Sequence, residues 1–320
     1  MKFKEILNSF PPPEFLNIPY AGLSISDSAI RCMQFSRKNA SLSVDFYTER
    51  PLSPGIVTSG TINNVDEIAN ILQNLKKETG ISFVKASLPE EKAYLFTTKI
   101  PVVDHKYVRG VIESKIEENV PLPAADLIFG YALMNPDDVK DHLEIVVSAF
   151  PIEIVNTYVE AVGKADLSLI SLEIESQAVA RSLLPKHSEG SHIIVYFGKG
   201  KMGLYVESDA IIQFTSTVST KGESLENPDF LVQEIKKLIG YWHTVGNGEE
   251  KEIKSVIISG EDFGESLAPY LSSHLKIPVS LGNIWTNVFD TTDTVPPIPF
   301  IESLRYAAAA GLAIPLNILI

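Results

Sequence analysis

The chain has 320 residues, a formal net charge of −13, a single cysteine and a hydrophobic fraction of 45%. That length allows two domains of ordinary size, and the acidic balance argues against the basic stripe of a nucleic-acid surface. One thiol excludes an internal disulfide and fits a reducing compartment. No apolar run approaches the ~20 residues of a membrane-spanning helix, and the N-terminus lacks the apolar segment of a secretion signal.

Residues 1–19 stand apart. Phe3, Ile6, Leu7 and Phe10 are spaced as one helical stripe, and Pro11-Pro12-Pro13 ends it. The pattern predicts an amphipathic arm on a stiff linker, either a frayed or self-docked terminus or a membrane- or partner-docking helix. From Tyr20 the chain changes to short strands. Residues 21–25, 29–35 and 42–48 read as a three-strand meander, with Cys32 as a buried core thiol. A helix follows, capped by Asn64, striped by Ile68, Ile71, Leu72 and Leu75, and stopped at Gly80. Residues 83–88 read as a strand.

The stretch 94–172 reads as a compact unit of strand, helix, strand, strand, helix, strand. Its first helix is expected from a cap at Asp104 to Asn119, with Val108, Val111 and Ile112 inward and Pro121 and Pro123 closing it. Strands at 128–134 and 143–150 flank the turn Asn135-Pro136-Asp137-Asp138. The second helix, 152–165, is expected to turn Val155, Tyr158, Val159 and Val162 inward, before a strand at 167–174. After a helix at 176–184 and a polar linker, the first pattern restarts. Strands are expected at 192–197, 202–207 and 211–218, then a helix over 230–243 striped by Leu231, Ile235, Leu238, Ile239 and Trp242. A strand at 255–259, a helix from Glu265, a strand at 278–281 and an alanine-rich helix at 304–313 complete the chain. Three strands, helix, strand, helix thus occurs twice. This duplication predicts an α/β protein of two halves, 20–190 and 191–320, with a ligand crevice at the loop ends.

Isolated motifs of catalysis are weak. The histidines are scattered as singles (His105, His142, His187, His192, His243, His274), with neither His-x-x-x-His nor Cys-x-x-Cys spacing, so no metal site is expected. Glu113, Glu117 and Glu118 read as a solvated helix face, and no nucleophile elbow or P-loop is present.

The order of six segments carries a more specific signal: GLSISDSAIRCMQF, IPVVDHKYVRGVIESKIEENVPLP, FPIEIVNTYVEAVGKADLSLISLEIESQAVAR, HIIVYFGKGKMGLYV, SVIISGEDFGESLAPYLSSHLKIPVSL and RYAAAAGLA. Across about 20–313 the chain resembles the actin-like ATPase superfamily and, within it, the PilM-like type IV pilus assembly proteins. The resemblance implies an actin-like (duplicated ribonuclease-H-like) two-domain fold. It also implies an inserted subdomain of the kind PilM and FtsA share, at 94–172. FtsA proteins typically add an amphipathic membrane anchor after a linker, whereas this sequence reaches Ile320 directly after its last helix. PilM proteins usually carry a helical subdomain walling in the adenosine, and here only STKGESLENPDF separates Val218 from Leu231, a reduced second-domain insertion.

Actin-like ATPases need one aspartate in each of two facing loops to hold hydrated Mg²⁺ and orient water, and glycines that let backbone N–H groups approach phosphate. By the resemblance, Gly22 opens the first loop, Ser24 stands at its aspartate position and Ser26 at a glycine position, while Asp27 lies too far along. Tyr196 stands at the second aspartate position, followed by Gly198, Lys199 and Lys201. Gly260 is the one glycine of a third loop, followed by Glu261 and Asp262. The implied site is degenerate: no catalytic residue, no metal and no cofactor, with the lysines as solvated turn residues, the other reading being that Gly198, Lys199 and Lys201 still bind a phosphate or other anion. The alternative is an active nucleotide-dependent switch of the FtsA kind or a sugar-kinase-like enzyme, which would take ATP and Mg²⁺.

The resemblance further implies a cytoplasmic scaffold, peripheral to the inner membrane, that binds the N-terminal cytoplasmic tail of a PilN-like membrane protein as an extended peptide. Ile116, Val120, Leu122 and Phe129 are the candidate apolar floor of that groove, ordinary core being the other reading. Self-association is left open. The closing Leu316-Asn317-Ile318-Leu319-Ile320 resembles the partner motif Ile-Asn-Leu-Leu-Pro; packing back onto the last helix is the favoured expectation and mimicry of the partner the other.

Overall fold

The computed structural model describes residues 18–38, 41–134, 141–186, 188–220, 227–245, 252–289 and 298–315. The N-terminal stripe, the turn at 135–138 and the tail at 316–320 lie outside the described residues.

Strand β1 (Ala21–Ile25) is buried on both faces, as its nearly unbroken apolar run requires of a central strand. It pairs antiparallel with β2 (Ala29–Lys38), which pairs with β3 (Ser41–Pro51). A short hairpin, β4 (Val57–Thr58) and β5 (Thr61–Ile62), leads to helix α1 (Val65–Thr79). The Asn64 side chain accepts the Glu67 N–H at 3.0 Å, Asp66 and Glu67 occupy the first turn, Lys76 and Lys77 the last, and Gly80 is left-handed. Each of these features matches a sequence signal for the helix ends. Strand β6 (Phe83–Leu88) then runs parallel to β1.

The chain next leaves this sheet. Strands β7 (Tyr94–Pro101), β8 (Leu127–Met134) and β9 (His142–Pro151) form a separate sheet in the order β7-β9-β8. Helix α2 (His105–Asn119) lies against one face of it, burying Val108, Ile112 and Ile116 on Ile145, Val147 and Ala149. Asp104 is the residue before this helix, but its side chain makes no capping bond and pairs with Lys106 at 3.5 Å.

Two expectations are corrected here. Helix α3 (Ile152–Lys164) packs on α1, and β10 (Ser168–Ile174) pairs parallel with β6 as the outer strand of the first sheet. The range 94–172 therefore divides: the separate sheet closes at Pro151, and the rest returns to the parent core. Within α3, Val159 is 44% exposed, while Ile154, Val155, Tyr158, Ala161 and Val162 are buried. The buried positions form one arc centred on Tyr158, and Val159, ~100° round the helix from that centre, falls outside it.

Helix α4 (Glu175–Leu183) leads to the second half. Strands β11 (Ser191–Gly198), β12 (Lys201–Ser208) and β13 (Ile211–Ser219) are followed by helix α5 (Pro228–Val245), β14 (Ile253–Gly260), helix α6 (Leu267–Leu275) and β15 (Val279–Leu281). Only residues 220–227 lie between β13 and α5. The sheet orders, β10-β6-β1-β2-β3 and β13-β12-β11-β14-β15, are the same arrangement twice. In each, a central strand is antiparallel to the next and parallel to the one after the helix, as Leu23 opposite Cys32 and Ala86 matches Val195 opposite Leu204 and Ile258. A short helix α7 (Phe300–Ser303), a 3-10 turn and helix α8 (Ala307–Ala313) close the described chain. Helices α4 and α8 pack together in a core that also holds Met33 and Phe35 of the first sheet and Ile194 and Ile257 of the second. This shared layer brings the turns after β1, β6, β11 and β14 to one cleft.

Candidate functional site: the cleft between the halves

The β1–β2 turn is built on serine. Ser26 Oγ donates to the Ala29 carbonyl at 3.0 Å and accepts the Ala29 N–H at 3.2 Å, which closes the turn on itself. Ser24 is buried, its hydroxyl 3.5 Å from Glu175 Oε1. Asp27 points away from β1 and accepts the N–H groups of Ser59 and Gly60 at 2.9 and 3.0 Å. Its carboxylate thus orders the β4–β5 turn.

Across the cleft, Tyr196 lies in β11 at the point equivalent to Ser24 in β1. Burial first, then Glu175, pushes the tyrosine hydroxyl pKa well up, so it stays neutral. Lys199 is exposed at the turn, whereas Lys201 reaches over to the first half. Its ammonium pairs with Glu91 and lies 3.7 Å from Asp27. Burial works against the charge on Lys201, but Glu91 outweighs it and the pKa is raised.

A second bridge runs through Arg31, which sits 5% exposed within β2. Its Nε donates to Glu49 at 2.6 Å and its Nη2 to Glu261, beyond β14, at 2.5 Å. Glu261 also accepts the Ser28 hydroxyl at 2.9 Å. The third of the expected loops therefore binds the opposite half through Glu261. Here too burial opposes the charge, and Glu261 and Glu49 keep Arg31 a guanidinium.

Two further carboxyls face this cleft. Glu90, in the 3-10 turn Glu90–Lys92, is buried; its Oε2 accepts the Ser176 N–H at 3.0 Å and its Oε1 has no partner. Burial pushes it up to about 8, and burial likewise pushes Glu175 up to about 7. The cleft thus gathers Asp27, Glu90, Glu91, Glu175 and Glu261 around Arg31 and Lys201, both already paired. Its open part, about 770 Å³, is lined by Ser28, Thr58, Ser59, Thr215, Ser216 and Thr217 among others. A polyanion entering here would meet Asp27 and Glu91, with their counter-charge Lys201 already engaged and Lys199 exposed at the rim. Among the described residues no group of His, Cys, Asp or Glu is arranged to hold a metal ion.

The glycines of the expected loops serve packing. A Cβ on Gly22 would lie 2.0 Å from the Ala309 carbonyl of α8, and one on Gly260 would lie 2.0 Å from the Phe197 carbonyl of β11. By contrast, a Cβ on Gly198 would meet Lys201 at ordinary distances, its side chain at 3.6 Å and its carbonyl at 3.9 Å.

Sequence reading thus located Ser24, Ser26, Asp27, Tyr196, Gly198, Lys199 and Gly260 around one cleft, but missed Arg31, Glu49, Glu90, Glu91 and Glu175. The available signal was a charge inside an apolar strand, as in AIRCMQF, and the acidic pair directly after a buried strand in SLPEEK. Of the four groove candidates, Ile116 and Val120 are buried in the core under α2, and Leu122 and Phe129 are partly exposed beside it.

Fold and cleft together define a two-half protein of the actin-like fold whose halves are joined by its own ion pairs. The sequence model described as "Type IV pilus assembly protein PilM" matches residues 22–228, and the chain belongs to that family. Among solved structures it is similar to the "PilM-PilN type IV pilus biogenesis complex", with a TM-score of 0.76 and 16% identity over 95% of this chain and 99% of that one. It is also similar to the cytoplasmic domain of EpsL, an inner membrane component of the type II secretion system of Vibrio cholerae. That TM-score is 0.51, with 10% identity over 95% of this chain and 98% of that one. At these identities both show the fold. No curated protein matches the sequence. Among the described residues no helix is long and apolar enough to cross a membrane.

Proposed function

We propose that this chain is a cytoplasmic scaffold of the type IV pilus inner-membrane platform, that it captures the N-terminal tail of a PilN-like membrane protein, and that its cleft neither binds nor hydrolyses ATP. The observation that carries the nucleotide-free reading is the placement of Lys201 against Glu91 and Asp27, and of Glu261 against Arg31, between the two turns where phosphates would have to lie. Ser24 and Tyr196 leave no facing pair of carboxylates for Mg²⁺.

Family membership supports the partner. For its seat, Ile116 and Val120 are already spent on the core, so a peptide would reach Leu122 and Phe129. Strand β8 is an edge of its sheet, pairing with β9 alone among the described strands. Phe129, Tyr131 and Leu133 alternate along one face of it, and Tyr131 and Leu133 are exposed. An unpaired edge with a row of apolar side chains suits an extended peptide, whose main chain would pair with the edge while its side chains fill the face. Attachment to the membrane would follow from the partner's own anchor.

Two titrations test this. Calorimetry with ATP and Mg²⁺ is expected to show no binding; micromolar, Mg²⁺-dependent affinity would end the nucleotide-free reading. A fluorescent peptide carrying Ile-Asn-Leu-Leu-Pro is expected to bind by anisotropy, with Phe129→Ala or Tyr131→Ala weakening it roughly tenfold. A peptide that does not bind, or affinities indifferent to both substitutions, would refute the partner reading.

A further inference from the structure

Lys201 touches more than a counter-charge. Its first partner, Glu91, lies in the turn that joins β6 of the first sheet to β7 of the separate sheet, the point where the chain enters that unit. Its second, Asp27, holds the amides of Ser59 and Gly60, and the Gly60 carbonyl accepts the Tyr158 hydroxyl at 3.0 Å. Tyr158 is on α3, the helix by which the chain leaves the separate sheet after β9. Entry and exit of the inserted sheet are therefore both tied to one ammonium supplied by the other half of the molecule.

We propose that Lys201 is a built-in latch: in the place where actin-like relatives bind nucleotide, its ammonium fastens the second half to both connections of the inserted sheet, holding the cleft closed and that sheet in one orientation. The chemistry suits the task. An ammonium offers three donors on a flexible stem and can serve two carboxylates at once. Without it, Asp27 and Glu91 would face one another in the cleft, with Arg31 already bound to Glu49 and Glu261 and Lys199 exposed at the turn. The repulsion then acts at the point where the halves meet. Burial makes the bridge costly to break on one side alone, because the surviving charges are left unpaired. The latch goes beyond the scaffold reading: it gives the protein a closed state that needs no ligand, so a partner meets a preformed surface.

The test uses the full chain without nucleotide, which separates its failure from that of the nucleotide-free reading. Lys77→Cys on α1 and Lys236→Cys on α5 are both exposed and carry nitroxide labels, while native Cys32, 0% exposed, stays unlabelled. Pulsed electron resonance is expected to give one narrow distance distribution in this parent. Lys201→Met, which removes the charge and keeps the bulk, is expected to add a second, separate population. It is also expected to raise amide exchange at Ser59 and Gly60 at least roughly tenfold. Lys201→Arg, which keeps a cation between Glu91 and Asp27, is expected to keep the single distribution and slow exchange. If Lys201→Met keeps the parent distribution and exchange rates, or the folded Lys201→Arg protein shows two populations, the latch is overturned.

Discussion

Gly22 offers a direct measure of what the first turn is for. If it were a phosphate-loop glycine, Gly22→Ala would impair a nucleotide and leave the fold alone. The structure requires the reverse. A Cβ there would stand 2.0 Å from the Ala309 carbonyl oxygen, 2.7 Å from the Ala313 nitrogen and 2.8 Å from Leu312 Cβ. The two nearest are backbone atoms, which cannot rotate aside. Ordinary contact begins near 3.4 Å, so α8 would have to retreat by about 1.4 Å. That helix is held on another side as well, since a Cβ on its own Gly311 would lie 1.8 Å from the Ala178 carbonyl of α4. Overpacking against an element pinned on two sides belongs at the upper end of the usual cost, about 3 kcal/mol. For a chain of this size that is a fall in Tm of roughly 4–5 °C. Two controls separate space from backbone strain. Gly80→Ala, left-handed but with nothing within 4 Å, is expected to cost about 1 kcal/mol. Gly110→Ala, exposed in α2 with open space, is expected to stabilise by about 0.5 kcal/mol. Thermal melts followed by circular dichroism read all three. A Gly22→Ala protein melting within about 2 °C of the parent, or the same loss at all three positions, would refute the steric reasoning.

Burial holds Glu90 up to about 8 and Glu175 up to about 7, against 4.5 when unfolded, so the folded state keeps protons that the unfolded chain releases. Their contribution is full below about 4.5 and declines as the pH rises from there to about 8. Glu90→Gln is expected to flatten the fall of the urea midpoint between pH 5 and 9, and a slope equal to the parent's would count against the assignment. Ser24→Asp places a carboxylate beside Glu175, and we expect a loss of about 3 kcal/mol with no gain of ATP binding by calorimetry; a stable variant that binds ATP would contradict both. Cys32 is fully buried and its thiol is pushed up to about 12, so the folded protein should resist an aromatic disulfide reagent until denaturant is added. Reaction of the native protein within minutes would show that β2 opens.

How far sequence reasoning reached follows from the range of the forces involved. The strands of both sheets, helix α1 with its Asn64 cap and Gly80 stop, the duplicated order of elements and the buried Cys32 are written in spacings of a few residues, because side-chain period and chain-end chemistry are local. The resemblance, and not spacing, singled out Ser24 and Tyr196, which lie at equivalent points of β1 and β11, the central strands of sheets with one topology. Spacing failed where two local patterns were alike. Helix α3 and β10 read as a continuation of the separate unit, and only their pairing with α1 and β6 assigns them to the first half. Val159 was read inward with Tyr158, although it falls outside the arc of the helix, centred on Tyr158, that faces the core.

Local sequence pattern by itself determined most of the elements, the hairpin β4–β5 excepted, and that their order occurs twice; that Ser24 and Tyr196 stand where the family has aspartate is what the resemblance implies. Tertiary structure alone decided what the turns beside them do. Lys201 lies 110 residues from Glu91, and Arg31 lies 230 from Glu261, and neither pair has any local trace. A charge close to its partner in sequence can be found by spacing. A charge that meets its partner across a cleft finds it only after two sheets have packed on the shared helices α4 and α8, because the loops that face each other are chosen by that packing.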